Sequence, residues 1–290
     1  MPDLPPLREV VARFGLVPQR SRGQHFLFDA GITDKIAAAA GDLSKVVVYE
    51  VGPGPGGLTR SLLKAGARKV VAAENDTRCV MALQDLVRDF SGRVRVLPVD
   101  ALLVDETQYV PTASKIVANL PYNISTQLLL KWLKAPERYI VMVLMFQKEV
   151  ALRLTGQPGT KDYGRLSVMT QWSCDVKRLF DVAPGSFVPT PKVTSSVVEI
   201  LPRAEPVAPA KREDLEKVVA AGFGQRRKML RTSLKTLDVN ADELLEISGA
   251  NPSARAEELS VSEFCALARA YQTARGGRTI LATRASRTFI

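Results

Sequence analysis

Through roughly the first two hundred residues, short runs of β-branched and apolar residues alternate with stretches whose apolar positions recur every three or four residues. That alternation marks a mostly parallel sheet with helices on both faces, a doubly wound α/β arrangement. The spacing predicts a helix over DAGITDKIAAAAG, with Asp29 at its N-cap and Gly41 at its C-cap, ahead of a first strand KVVVYEVG. GLTRSLLKAG reads as a helix stopped by Gly66, ARKVVAAEND as a second strand, and TRCVMALQDLVRDF as a second amphipathic helix. RVRVLPVDA and KIVANLPY are the third and fourth strands, TQLLLKWLK the next helix, and YIVMVLMF a continuous apolar run of buried-strand type. QKEVALRLTG and YGRLSVMTQWS read as helical, and VKRLFDVAP and SSVVEILPR as late strands.

The pattern breaks into Pro and Ala around LPRAEPVAPAKRED, the composition of a linker. A first domain over 1–204 and a small helical domain over 205–290 follow from that break. In the second, EDLEKVVAAGFGQRRKMLRTSLK, ADELLEISG and SVSEFCALARAYQ all carry helical spacing. Arg227, Arg231 and Lys235 lie four apart, so Arg226, Arg227, Lys228, Arg231 and Lys235 are expected to form the basic surface of one helix. The tail GGRTILATRASRTFI is basic, holds a short apolar element and is expected to be disordered.

Charge extends this picture. Forty Lys and Arg against thirty Asp and Glu give +10 and a pI near 9.6, which suits a polyanion such as nucleic acid but equally fits a generic basic surface. The three cysteines, Cys79, Cys174 and Cys265, lie far apart and make no disulfide framework, and one histidine, His25, leaves too few soft ligands for zinc. No metal is expected. The first residues, MPDLPPLREV, lack an apolar core, and no stretch approaches the length of a membrane span, so a cytoplasmic protein without a membrane partner is expected.

Candidate chemistry gathers at strand ends. YEVGPGPGGLT falls where a strand turns into a helix, and glycine there lets a ligand approach the backbone closely. Glu74, about twenty residues on, ends the second strand, where an acid accepts from ribose hydroxyls. Asp100 ends the third, placed to accept from the exocyclic amine of an adenine. Singly, each acid is an ordinary exposed strand end; together they point to a nucleoside or dinucleotide site. Pro53 and Pro55 remove donors from the loop and weaken its case as a phosphate cradle. NLPY, at the end of the fourth strand, cannot continue into a helix, because proline disfavours an α conformation at the preceding residue. The turn is therefore expected to leave the Asn119 and Leu120 carbonyls for a ligand's donor.

The pattern E-x-G-x-G-x-G opened by Glu50 resembles the first motif of S-adenosylmethionine-dependent methyltransferases, whose domain is Rossmann-like. NLPY is similar to the Asn/Asp-Pro-Pro-Tyr/Phe motif of enzymes that methylate exocyclic amines of nucleic-acid bases. With RGQHFLFD, MFQKEVALRL, YGRLSV and FVPTPKVTSSVV, the chain from about residue 20 to 200 strongly resembles the bacterial small-subunit rRNA adenine N6-dimethyltransferase family, and FGQRRKMLRTSL extends the resemblance into the helical domain. The resemblance implies dimethylation of two adjacent adenosines in the 3′-terminal hairpin loop of 16S rRNA, with S-adenosylmethionine as donor and a monomer acting on the 30S subunit or its precursor. A role in subunit biogenesis goes with it.

Carried over by residue, the resemblance assigns His25, Leu27, Gly52, Glu74, Asp100 and Asn119 to the cofactor. It assigns Asn119, Leu120, Pro121 and Tyr122 to the target amine, with Phe187 closing the other face of the base. Family members often have Asn where this chain has His25. The basic segment from Arg226 to Lys235 is expected to contact the rRNA backbone, a solvated surface helix being the alternative, and Arg20, Arg22 and Lys148 add charge near the expected cofactor edge. Two alternatives share much of this pattern: a large-subunit rRNA adenine methylase conferring macrolide resistance, and a ribosome-assembly factor that has lost catalysis.

Overall fold

The computed structural model describes residues 4–18 and 23–285, with side chains through residue 276. Arg20 and Arg22 lie outside the described residues. The elements run α1 (Leu7–Arg13), β1 (Phe26–Leu27), α2 (Ala30–Ala39), β2 (Val47–Val51), α3 (Gly57–Lys64), β3 (Lys69–Ala73), α4 (Thr77–Asp89), β4 (Val94–Leu97), β5 (Ser114–Asn119) and α5 (Ser125–Trp132). They continue with β6 (Tyr139–Gln147), α6 (Lys148–Thr155), α7 (Arg165–Ser173), β7 (Cys174–Val182), β8 (Phe187–Val188), β9 (Ser195–Pro202), α8 (Arg212–Gly224), α9 (Leu230–Ser233), α10 (Ala241–Ser248) and α11 (Val261–Ala285).

Local signals set most of these boundaries. Asp29 caps α2 by accepting from the Ile32 N–H at 3.1 Å, and Asp76 does the same for α4 with Arg78. Gly66, at φ 89°, stops the chain after α3 in a conformation that costs other residues more. Seven strands form one Rossmann-like sheet in the order β4-β3-β2-β5-β6-β9-β7, with β4 through β6 parallel and β9 antiparallel to β6. β5 and β6 are buried almost continuously, as strands covered by helices on both faces must be. The chain turns one way from β2 to β3 and returns on the other side of β2 with β5, which opens a crevice outside the carboxyl ends of β2 and β5. A short antiparallel pair that the strand pattern does not foretell joins β1 to β8, Leu27 opposite Phe187.

The chain divides into two compact units, one of residues 1–151 with 175–202, the other of residues 152–174 with 203–290. The expected single cut at 204/205 thus misplaces 152–174. Their helical periodicity reads alike in either setting, but Tyr163, Val168 and Trp172 bury themselves with Leu215, Leu244 and Phe264 of the helical unit. The Trp172 indole N–H also donates to the Ala208 carbonyl at 2.9 Å. Burial of these side chains, a tertiary matter, decides the grouping.

A second correction concerns the basic helix. α8 ends at Gly224, residues 225–229 turn, and the backbone of Met229 to Arg231 pairs with the 252–255 segment: Leu230 N–H donates to Ala254 O at 2.8 Å and Arg231 N–H to Pro252 O at 3.2 Å. Those partners draw the backbone out of the helical ladder just after a weak helix former. Arg226, Arg227 and Lys228 therefore sit in the turn, Arg231 in α9 and Lys235 in the tight turn after it. At the other end, α11 continues through Gly276 to Ala285, across most of the tail expected to be disordered; residues 286–290 lie outside the described ones. No helix among the described residues is long and apolar enough to cross a membrane.

Candidate functional site

A cavity of about 400 Å³ opens at the crevice beside β2 and β5. His25, Leu27, Gly52, Glu74, Asp100 and Asn119 to Tyr122 all line it, so the strand-end residues and both sequence motifs meet there. The close approach of the two motifs is set by Gly52, whose φ is 67° and whose N–H donates to the Ala73 carbonyl at 3.0 Å. A Cβ at Gly52 would lie 3.3 Å from Cδ of Pro121 and 3.4 Å from its Cγ. Only a residue without one lets the glycine loop press against the NLPY turn.

Two buried acids stand at the strand ends. Glu74 accepts from the Gly54 N–H at 3.0 Å and the Asp76 N–H at 2.8 Å; burial raises its pKa and those hydrogen bonds oppose the rise. Glu50, 1 % exposed, accepts from the Thr59 hydroxyl at 2.7 Å, and its pKa is pushed up to about 8, chiefly by burial and further by the neighbouring Glu74. Burial thus favours the protonated form of Glu50 well above the ordinary carboxylate range. In the sequence it marked only the start of a motif, and nothing in its spacing signals Thr59. Asp100 accepts from the Leu102 N–H at 2.8 Å, which holds the β4 exit loop.

In the NLPY turn, the Asn119 side-chain amide donates to the His25 carbonyl at 3.4 Å, which directs its Oδ1 to serve as an acceptor. The turn's own hydrogen bonds use the carbonyls of Pro121, from Ile124 N–H at 3.2 Å, and Tyr122, from Ser125 Oγ at 3.1 Å, rather than that of Leu120. Tyr122 is half-buried, its phenol 2.6 Å from Ser195 Oγ and its ring 5.3 Å from that of His25. His25 Nδ1 donates to the Pro189 carbonyl at 2.7 Å, since a carbonyl only accepts, so any side-chain contact with a ligand falls to Nε2.

Phe187 departs from expectation. It is 1 % exposed, packs with Leu27, Ile36, Val182 and Val197, and does not line the cavity. The β1–β8 pairing turns its ring into the core, where a large apolar side chain is most stable. Lys148 is also engaged elsewhere, in an ion pair with Asp181 at 2.7 Å that, with Ser196 and Arg178, holds that carboxylate at about 2. In the helical unit Arg226 bonds Glu257 at 2.8 Å and the Lys161 carbonyl at 2.6 Å, whereas Arg227, Lys228, Arg231 and Lys235 are exposed. Ser195, generic in sequence, carried no signal of its contact with Tyr122.

The ribosomal RNA adenine dimethylase family matches residues 18–273 of this chain. The "Ribosomal RNA small subunit methyltransferase A" of Paramagnetospirillum magneticum is 56 % identical over 270 residues, 93 % of this chain and 96 % of that protein. Its counterpart of the same name in Rhodospirillum rubrum is 54 % identical over 271 residues, 93 % of this chain and 94 % of its own. Among solved structures, a dimethyladenosine transferase from Plasmodium falciparum superposes with a TM-score of 0.73 at 27 % identity, over 84 % of this chain and 96 % of that one. The 23S rRNA methyltransferase ErmE gives 0.65 at 26 % identity, over 85 % of this chain and 99 % of that one. With the glycine loop and NLPY turn meeting in one cavity and a match along nearly the whole chain, the protein belongs to the ribosomal RNA adenine dimethylase family.

Proposed function

We propose that this enzyme dimethylates N6 of two adjacent adenosines in the 3′-terminal hairpin loop of 16S rRNA, acting as a cytoplasmic monomer on the 30S subunit or its precursor. S-adenosylmethionine is the proposed donor. The observation that carries the reading is the contact of Gly52 with the NLPY turn, which puts a nucleoside-type strand-end site and a base-amine motif in one cavity. The cavity volume falls within the range of small-molecule sites. The residues fit such a donor: Glu74 for ribose hydroxyls, Asp100 for an adenine amine, a cradle at Gly52 that a Cβ would fill, and His25, Leu27 and Asn119 for the amino-acid end. When bound, the donor supplies an electrophilic methyl group on a sulfonium.

The chain's own task is then to orient a poor nucleophile. The lone pair of an adenine amine is delocalised into the ring, and acceptors at Asn119 Oδ1 and the Leu120 carbonyl favour a nitrogen whose lone pair is free for attack. Tyr122 offers a ring face worth on the order of 1–3 kcal/mol to an unstacked base. Attack on a sulfonium needs no general base, because the ammonium product loses its proton readily. Arg227, Lys228, Arg231 and Lys235 are available for phosphates, which position an RNA without reading its bases. Incubation with labelled S-adenosylmethionine and unmethylated 30S particles, followed by digestion to nucleosides, should yield labelled dimethyladenosine. In a parallel incubation with unmethylated 50S particles, label appearing there and not in the 30S would instead favour the large-subunit reading. Asn119→Ala should lose methyl transfer while rRNA binding survives.

A further inference from the structure

Tyr122 hangs from a turn, so the direction of its ring axis follows the first side-chain torsion, which a partner at the phenol tip can hold. Here both ends are held. Ser125 Oγ donates to the Tyr122 carbonyl, and the phenol lies 2.6 Å from the hydroxyl of Ser195. Ser195 is fully buried and opens β9, opposite Gln147 in the β6 register, so its hydroxyl is fixed to the sheet. Beside it, the His25 ring is tilted 32° to that of Tyr122 and is itself tied to the Pro189 carbonyl. The segment 187–195 thus places both rings through hydrogen bonds, while its own aromatic, Phe187, points into the core.

We propose that Ser195 is a positioning residue for methyl transfer, its hydroxyl anchoring the phenol tip and so holding the direction in which Tyr122 presents its ring to the target base. This rests on the reading that Tyr122 receives that base. Burial keeps the Tyr122 phenol above its ordinary pKa, so it stays protonated and able to share a proton with Ser195. Without the Ser195 oxygen, the half-buried phenol loses its partner and the ring axis is free to swing about the first side-chain torsion. A misoriented base wall slows the chemical step rather than the binding of the donor. The expected loss is about three- to tenfold, the size of one net hydrogen bond.

The test is a single-turnover assay on unmethylated 30S particles with the full-length wild type, Ser195→Ala, Tyr122→Phe, the double variant and Tyr122→Ala. Each single hydroxyl deletion should slow transfer about three- to tenfold at unchanged KM for S-adenosylmethionine, and the double variant should be no slower than either. A wild-type rate for Ser195→Ala overturns the proposal, as do losses that multiply in the double variant, since those mean Ser195 acts through general structure. If Ser195→Ala does not fold, Tyr122→Phe removes the same bond from the cavity side, and a wild-type rate there overturns it too. Tyr122→Ala separates the two layers: full activity breaks the reading that Tyr122 receives the base, whereas inactivity with multiplying losses breaks only the role of Ser195.

Discussion

Gly52→Ala is the sharpest perturbation of the cavity. At a φ of 67°, a residue with a Cβ costs roughly 1–2 kcal/mol relative to glycine. The added carbon would stand 3.3 Å and 3.4 Å from two ring carbons of Pro121, whose Cδ is tied to the backbone nitrogen and can yield little by a change of pucker, so the loop and the NLPY turn must part by a few tenths of an ångström. The sum is a stability loss of roughly 2 kcal/mol, or about 4–8 °C in Tm for a unit of this size. Gly66→Ala is the matched control, because its φ is 89° but nothing lies within 4 Å of its would-be Cβ. Thermal denaturation followed by circular dichroism and titration calorimetry with S-adenosylmethionine compare the two. Both variants should melt earlier, but only Gly52→Ala should lose donor affinity, by tenfold or more. Wild-type affinity in Gly52→Ala, or an equal loss in Gly66→Ala, would refute the reasoning.

Phe187→Ala should cost about 3–5 kcal/mol in urea denaturation, because it empties a core position; unchanged stability with abolished methyl transfer would restore it as a stacking residue. Glu50 holds its proton in the folded state up to about pH 8 but releases it near 4.5 when unfolded. Unfolding free energy should therefore fall as pH rises between those values, by at most about 1.4 kcal/mol per pH unit, and Glu50→Gln should flatten that stretch; an unchanged slope counts against the assignment. Replacing Arg227, Arg231 and Lys235 together by Ala should weaken rRNA binding and make its salt dependence shallower, with Tm held; filter binding across a salt series that gives the same slope would remove these residues from the interface.

Much of this protein is legible in local pattern. The alternation of strands and helices, the caps at Asp29 and Gly66, and the buried runs of β5 and β6 follow from side-chain periodicity and from backbone preferences that act within a few residues. The glycine loop, Glu74, Asp100 and NLPY also follow from sequence, because a parallel sheet brings strand ends to one edge whatever lies between them. What the tertiary structure decided involves partners distant in the chain. Phe187 turns inward because β8 pairs with β1, and residues 152–174 join the helices because their apolar faces find Leu215 and Phe264. The basic helix breaks because residues 252–255 offer its backbone other hydrogen bonds. Glu50 keeps its proton to higher pH because burial strips its solvent, and Tyr122 meets Ser195 only when β9 lies against β6. Residue type and spacing name the groups that carry chemistry, but burial and long-range pairing determine which way each one faces.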